Sequence, residues 1–310
     1  MRIHRPWLTF LGSFIADLTV RAPQLPAWGE SVLGTGFTVG AGGKGSNQAV
    51  AAARLGARAG FITRVGRDAF GDLARATWRR EGVDTEFCTE SATHGTGAAA
   101  VIVHEGRGEN AIVVDPGSGM QLTVDDLEAA AGRIMASAVF VTQLEVPLPV
   151  VSRALAIAHG AGVTTVLNPA PALPLPPALL ALCDYLTPNE HEASTLTGIA
   201  VTDVASADRA AAALLERGAG CVIVTLGANG ALVKRTGETV HVPAVDAGPV
   251  VETTGAGDAF NGALAVALSE GRPVAEAARF ACVAAGLSVT RAGTSASIPT
   301  RAEVDRRARA

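Results

Sequence analysis

Short runs rich in Val, Ile and Thr alternate along this chain with Ala-, Leu- and Arg-rich stretches of helical period, a pattern best satisfied by repeated βα units around a buried parallel sheet. The spacing predicts strands over residues 59–65, 138–144, 163–167 and 221–226, and helices over 69–80, 124–136, 150–161 and 207–217. Right-handed crossovers put those helices on both faces of the sheet, so the expected α/β fold has three layers. Pro169, Pro171, Pro174, Pro176 and Pro177 bar a helix directly after Leu167 and force a loop ahead of a short helix over 178–182, a connection and not a domain boundary. Two regions interrupt the alternation. Residues 17–40, and residues 93–114 with strand patterns at 98–104 and 111–114, read as β-hairpins that leave the main sheet and pair into a smaller one. The chain, 1–310, is read as one domain with this appendage at about 17–41 and 93–115.

Composition excludes several function classes. With 48% apolar and 17% charged residues there is ample core material, and a net charge of −4 with scattered Lys and Arg offers no patch for nucleic acid or an anionic membrane. Cys88, Cys183, Cys221 and Cys282 are far apart, without the pairing of a zinc site or disulfide framework, and read as reduced thiols in a cytoplasmic protein. The start at Met1 to Pro6 lacks the apolar core and cleavage site of a signal peptide. No apolar run is long enough to span a bilayer. The six histidines have no ligand spacing and read as structural or exposed.

Gly40-Ala41-Gly42-Gly43-Lys44-Gly45 matches the dinucleotide-binding pattern G-x-G-x-x-G and runs into a helical stretch at 47–55. Its position argues against NAD, since that fingerprint opens the first βαβ unit and about forty residues precede it here. The Walker-A pattern also fails, because Gly45 stands where Ser or Thr is required. A tight strand-to-helix turn is the plain structural reading. The functional reading is that the glycines bare backbone amides to a polyhydroxylated ligand, with Lys44 and Asn47 as further donors.

Thr253-Thr254-Gly255-Ala256-Gly257-Asp258 opens a second helical stretch at 259–268. Unpaired amides at a helix N-terminus, with the positive end of the macrodipole, suit phosphate oxygens and the charge that develops in phosphoryl transfer. Asp258 then stands where it can take a proton from an attacking hydroxyl, or it merely complements the helix dipole. Asn189 and Glu192 lie one turn apart after the strand-like Tyr185-Leu186; they form a capping box, or they position Mg²⁺ and phosphates. Glu145 and the stretch Thr225 to Gly230 follow strands, and strand carboxyl ends are where open α/β sheets bind ligands.

Together these segments resemble the ribokinase family of carbohydrate kinases, from about Leu11 to Arg301. Gly12-Ser13-Phe14-Ile15-Ala16-Asp17 is similar to the family's opening strand with its sugar-binding aspartate, and Gly42-Gly43-Lys44-Gly45-Ser46-Asn47-Gln48-Ala49 to its first signature. The resemblance implies a three-layer α/β/α sandwich with a mostly parallel sheet, whose small second sheet is a lid and often the homodimer contact. It implies sugar hydroxyls held by Asp17, Gly43, Lys44, Asn47 and Glu145, and ATP held by Asn189, Thr225, Gly227, Asn229 and Gly257. Asp258 would be the catalytic base, with Gly255, Ala256 and Gly257 as its anion hole. Glu192 would position Mg²⁺ through water, and Glu252, Thr254, Ser288, Arg291, Gly293 and Ser297 would surround an activating monovalent cation, K⁺. The implied reaction is ATP-dependent phosphorylation of the primary hydroxyl of ribose, with fructose, 2-keto-3-deoxygluconate, a deoxypentose or a nucleoside as other family substrates. Two residues depart from the pattern. Glu252 stands where the family has Asp, and Cys282 where many ribokinases have His near the adenine. Two rival classes are a catalytically silent sugar-binding regulator, disfavoured by the presence of Asp258, the glycines, Asn189 and Glu192, and an NAD-dependent dehydrogenase.

Overall fold

The computed structural model describes residues 6–106 and 110–309; the leader reading at Met1 to Arg5 and part of the second excursion, at 107–109, lie outside them. The elements run β1 (Trp7–Leu11), β2 (Ile15–Ala22), β3 (Thr35–Gly42), α1 (Lys44–Arg54), β4 (Arg58–Gly66), α2 (Ala69–Glu81), β5 (Cys88–Ser91), β6 (Thr96–His104) and β7 (Asn110–Gly117). They continue as α3 (Val124–Met135), β8 (Ser137–Thr142), α4 (Leu148–Gly160), β9 (Thr164–Leu167), α5 (Pro177–Leu180), β10 (Tyr185–Leu186), α6 (Glu190–Thr197), α7 (Val204–Glu216) and β11 (Cys221–Thr225). The chain closes with β12 (Ala231–Arg235), β13 (Glu238–Val242), α8 (Ala256–Ser269), α9 (Val274–Ser288) and α10 (Arg301–Ala308).

The four predicted strands are β4, β8, β9 and β11, and the four predicted helices are α2, α3, α4 and α7, at close to the predicted bounds. Helix α7 begins earlier than its apolar periodicity suggests because Asp203 caps it, its Oδ1 accepting the Ser206 amide at 2.7 Å. The nine-stranded sheet has the order β13-β12-β11-β10-β9-β8-β1-β4-β5. It is parallel except for β12 and β13, an antiparallel edge hairpin that the periodicity of βα units does not reveal. From β1 the chain builds outward on one side through β4 and β5 and on the other through β8 to β11. The carboxyl ends beside β1 and β8 are thus a topological switch point, where such sheets form a crevice.

One apolar core layer, including Trp78, Phe61 and Phe260, packs between the sheet and α1, α2, α8 and α9. The other, including Leu127, Leu155 and Leu214, packs under α3, α4, α6 and α7. Trp78 is fully buried, meets the rings of Phe14 and Phe61 edge-on at 5.5 and 5.4 Å, and donates Nε1–H to Ser46 Oγ at 2.9 Å. That last bond satisfies the indole donor, as burial requires, and ties α2 to the first turn of α1.

The two interrupting regions form a separate four-stranded sheet, β3-β2-β6-β7, as expected. Strand β2 pairs antiparallel with β3 and parallel with β6, so the two excursions are joined along one seam. Helices α1 and α8 pack together through small residues: a Cβ at Gly262 would lie 2.5 Å from that of Ala51. This close approach sets the two helix N-termini side by side at the crevice.

Candidate active site

Both helices start on a glycine of positive φ, Gly43 at 85° before α1 and Gly255 at 85° before α8, a conformation that costs other residues. The glycines of the first loop serve close packing. A Cβ at Gly43 would lie 2.7 Å from Ser13 O and Ile15 N, and one at Gly42 would meet the Asp17 carboxylate. The amides that follow are largely engaged within the protein: Lys44 N donates to Glu145 Oε2 at 2.9 Å, Ser46 N to Ser13 O at 3.1 Å and Asn47 N to Gly43 O at 2.9 Å. Those three amides are therefore closed to a ligand, while the amides of Gly43 and Gly45 carry no hydrogen bond among the described residues.

Asp258, in the first turn of α8, is 7% exposed. Asn47 Nδ2 donates to its Oδ2 at 2.9 Å and Gln48 Nε2 to its Oδ1 at 3.0 Å. Burial pushes its pKa up, opposed by the Lys44 ammonium and these two donors. The amides of Gly257 and Asp258 carry no intramolecular hydrogen bond among the described residues, whereas Ala256 N donates to Thr253 O at 3.2 Å. Of the expected anion hole, Ala256 thus has its amide taken by a turn, while the Gly257 amide and that of Asp258 beside it are open to a ligand.

Asn189 and Glu192 realise the capping box: Glu192 N donates to Asn189 Oδ1 at 2.8 Å, and Asn189 N and Nδ2 donate to the two Glu192 oxygens at 2.9 and 3.0 Å. Even so both side chains face the crevice. A cleft of about 150 Å³ is lined by Lys44, Asn168, Asn189, Glu192, Thr225, Gly255, Gly257 and Asp258, together with Ala170, Thr187 and Asn261. The capping and cleft readings are compatible, since each carboxylate oxygen keeps a second lone pair. Burial raises the Glu192 pKa, and nearby Lys44 works against it. Gly227 and Asn229 stand apart from that lining, on an exposed 3-10 turn after β11.

Glu145 follows β8, with Oε2 fixed by Ser13 Oγ at 2.5 Å and by the Lys44 amide. Burial raises its pKa despite Lys44. Asp17, on β2, has its pKa raised to about 6, chiefly by burial, and its Oδ2 accepts Thr294 Oγ1–H at 2.9 Å. That bond links the small sheet to the loop after α9. The residues of the expected cation group are divided between the end of α9 with the loop after it and the segment before α8. Glu252 Oε2 accepts the Gly293 amide at 2.8 Å, and Val289 O accepts the amides of Val251 and Glu252. Ser288 Oγ and Ser297 Oγ donate to Ala285 O and Thr294 O at 2.8 and 2.9 Å. Ser295 Oγ is buried without a partner. Arg291 directs its guanidinium to Glu303 at 2.5 Å, so only its backbone could serve a cation, and Thr254 is exposed without a side-chain bond among the described residues.

Sequence reasoning missed a group of buried amides and hydroxyls around Asp258: Gln48, Gln143, Asn168, Thr187 and Asn261, each at most 7% exposed. Four of them stand at the start of α1, after β8, after β9 and after β10. Polar residues just beyond strand ends were the available signal.

A buried carboxylate beside free helix-end amides, at the switch point of a doubly wound sheet under a small second sheet, defines a phosphotransferase-type site. The model for pfkB family carbohydrate kinases matches residues 7–301, and the chain belongs to that family. It is 41% identical to the ribokinase of Haemophilus influenzae over 299 residues, 96% of this chain and 97% of the relative. The Salmonella typhi deoxyribokinase is 35% identical over 294 residues, 94% and 95% of the two chains. The structure of Arabidopsis thaliana ribokinase complexed with ribose and ATP superposes with a TM-score of 0.90 at 33% identity, covering 98% of each chain. The chain is thus a sugar kinase. Among the described residues no helix is long and apolar enough to cross a membrane.

Proposed function

We propose that this kinase transfers the γ-phosphate of ATP to the primary hydroxyl of D-ribose, giving D-ribose 5-phosphate. The observation that carries this reading is Asp258, a buried carboxylate with a raised pKa one residue from the free Gly257 amide and within the cleft lined by Lys44, Asn189, Glu192 and Thr225. A base needs a pKa above the ordinary carboxylate range to draw a proton from an alcohol, and burial supplies that direction. The sugar oxygen forms its bond to γ-phosphorus as the bond to the β–γ bridging oxygen breaks; the hydroxyl proton passes to Asp258 and ADP leaves. The Gly257 and Asp258 amides and the α8 dipole stabilise the transferring charge. Asp17, Gly43, Lys44, Asn47 and Glu145 hold the sugar, and Asn189, Thr225, Gly227 and Asn229 hold the nucleotide.

The residues present fit the two ions of this reading. Both Glu192 oxygens already accept amide donors, which suits Mg²⁺ held through water; the ion would neutralise the phosphates. Glu252, Ser288, Gly293 and Ser297 supply carboxylate, hydroxyl and carbonyl oxygens, and the buried Ser295 hydroxyl has no partner among the described residues, a donor set that K⁺ could use. Exposed Phe37, Val39, Ile112 and Val113 on the small sheet support a homodimer that covers the lid.

The test is a panel of sugars with MgATP: ribose should give the highest kcat/KM, and strong turnover of deoxyribose or fructose without ribose turnover rejects the substrate. Asp258→Asn should lower kcat by about a thousandfold or more; activity within tenfold of the parent rejects the base. Failure of every sugar to react favours a silent sugar-binding protein.

A further inference from the structure

Around Asp258 the buried amides form a directed chain. Gln143 Nε2 donates to Gln48 Oε1 at 2.6 Å; Gln48 Nε2 donates to Asp258 Oδ1 at 3.0 Å and to Asn168 Oδ1 at 3.2 Å; Asn168 Nδ2 donates to Thr187 O at 3.0 Å. An ionised carboxylate only accepts, so it compels Gln48 to present its NH₂ group, and Gln48 must then turn its carbonyl oxygen to Gln143. Gln143 in turn is left with Oε1 buried and unpartnered, wedged against Gly12 and Gly45. A Cβ at either glycine would come within 2.3 or 3.0 Å of that oxygen. An orphaned buried acceptor is costly, and here it is tolerated at the one orientation of Gln143 that serves Gln48.

From this geometry we propose that Gln48, locked by Gln143 and Asn168, is a positioning residue for the Asp258 base, holding Oδ1 while Asn47 holds Oδ2 and so fixing the orientation of the carboxylate at the cleft. This rests on the assignment of Asp258 as base. Both glutamine side chains are fully buried and absent from the cleft lining, so their reach to the base is through this chain of amides. The second donor, Asn47, sits on the same helix turn and holds Oδ2. Lys44 on α1 favours the ionised form of Asp258, and the charge of Asp258 in turn raises the pKa of Glu145 after β8, Glu192 on α6 and Asp17 on β2. Gln48, with Asn47, is therefore a neutral donor that offsets burial of the base without contributing a charge.

The experiment compares Gln48→Met, Gln143→Met and Asp258→Asn in the full-length enzyme, with pH–rate profiles and thermal melts. Losing a donor to the ionised form raises the base's pKa, so Gln48→Met should move the acidic limb of kcat/KM upward by about one pH unit. It should lower kcat about tenfold while the sugar KM stays within about threefold. Gln143→Met, which keeps both donors to Asp258 but frees Gln48 to flip, should shift the limb in the same direction by less. If Gln48→Met does not fold, Gln143→Met carries the test alone. In an Asp258→Asn background, Gln48→Met should add less than about a twofold loss. An unmoved acidic limb in the folded variants, or losses that multiply in the double variant, overturns the proposal. An active Asp258→Asn enzyme rejects the base assignment instead, so the two failures are distinguishable.

Discussion

Asp17 and Glu252 are single residues whose surroundings change what their side chains do. With a pKa raised from 3.8 to about 6, Asp17 binds its proton more tightly folded than unfolded, so stability falls as pH rises through about 4 to 6. In function the same shift protonates the carboxylate just below neutrality. The sugar KM should therefore climb as pH drops through about 6, and Asp17→Asn should bind weakly at every pH without that limb; a pH series of KM values for both enzymes is the check. Glu252 is one methylene longer than the family's Asp and uses the extra reach to accept the Gly293 amide, joining two loops that a cation would otherwise hold together. K⁺ should activate turnover modestly here, and Glu252→Asp should steepen the response severalfold, measured as rate against K⁺ at constant ionic strength. Equal rates with and without K⁺ in both enzymes would exclude a cation role. The choice of Glu was visible in the sequence; its hydrogen bond was not, because residues 252 and 293 meet only after α8 and α9 have packed.

At the scale of an element, helix α6 is capped by a pair of side chains that also line the cleft. Asn189→Ala removes its cap, which should cost about 1 kcal/mol of stability. If the pair also faces the nucleotide phosphates, the KM for MgATP should rise about tenfold or more, an effect that capping alone does not produce; thermal melts and ATP titrations separate the two. Local sequence left capping and phosphate contact as alternatives because both need the same spacing, and only the position of α6 at the carboxyl end of β10 brings the capping pair to the cleft. The loop before α1 also combines two roles. Its glycines suggested bare amides, and Gly42, Gly43 and Gly45 in addition give room to Asp17, Ser13 and Gln143, neighbours that sequence periodicity cannot place. The β12–β13 hairpin was likewise missed, although Thr236-Gly237 between alternating runs is a turn signal.

For the whole molecule, the small sheet leaves large apolar side chains exposed. Phe37 is 64% exposed and Val113 75% exposed, and an apolar sheet face of this kind favours a second copy. The combined variant Phe37→Glu and Val113→Lys should shift the protein from dimer to monomer in light scattering; a parent enzyme that is already monomeric over micromolar concentrations rejects the lid contact. The sequence by itself determined the α/β alternation, the two excursions, the helix N-termini at Lys44 and Ala256 to within a turn, and the chemical types at Asp17, Glu145, Asn189 and Asp258, because these follow from periodicity, glycine conformation and local hydrogen bonding. Tertiary structure alone decided that Gln48, Gln143 and Asn168 orient Asp258, that Thr294 reaches Asp17, and that Gly227 and Asn229 stand outside the cleft. Those contacts join residues 95 to 277 positions apart, or depend on how separate elements pack, and no local pattern encodes which partner a buried amide will meet.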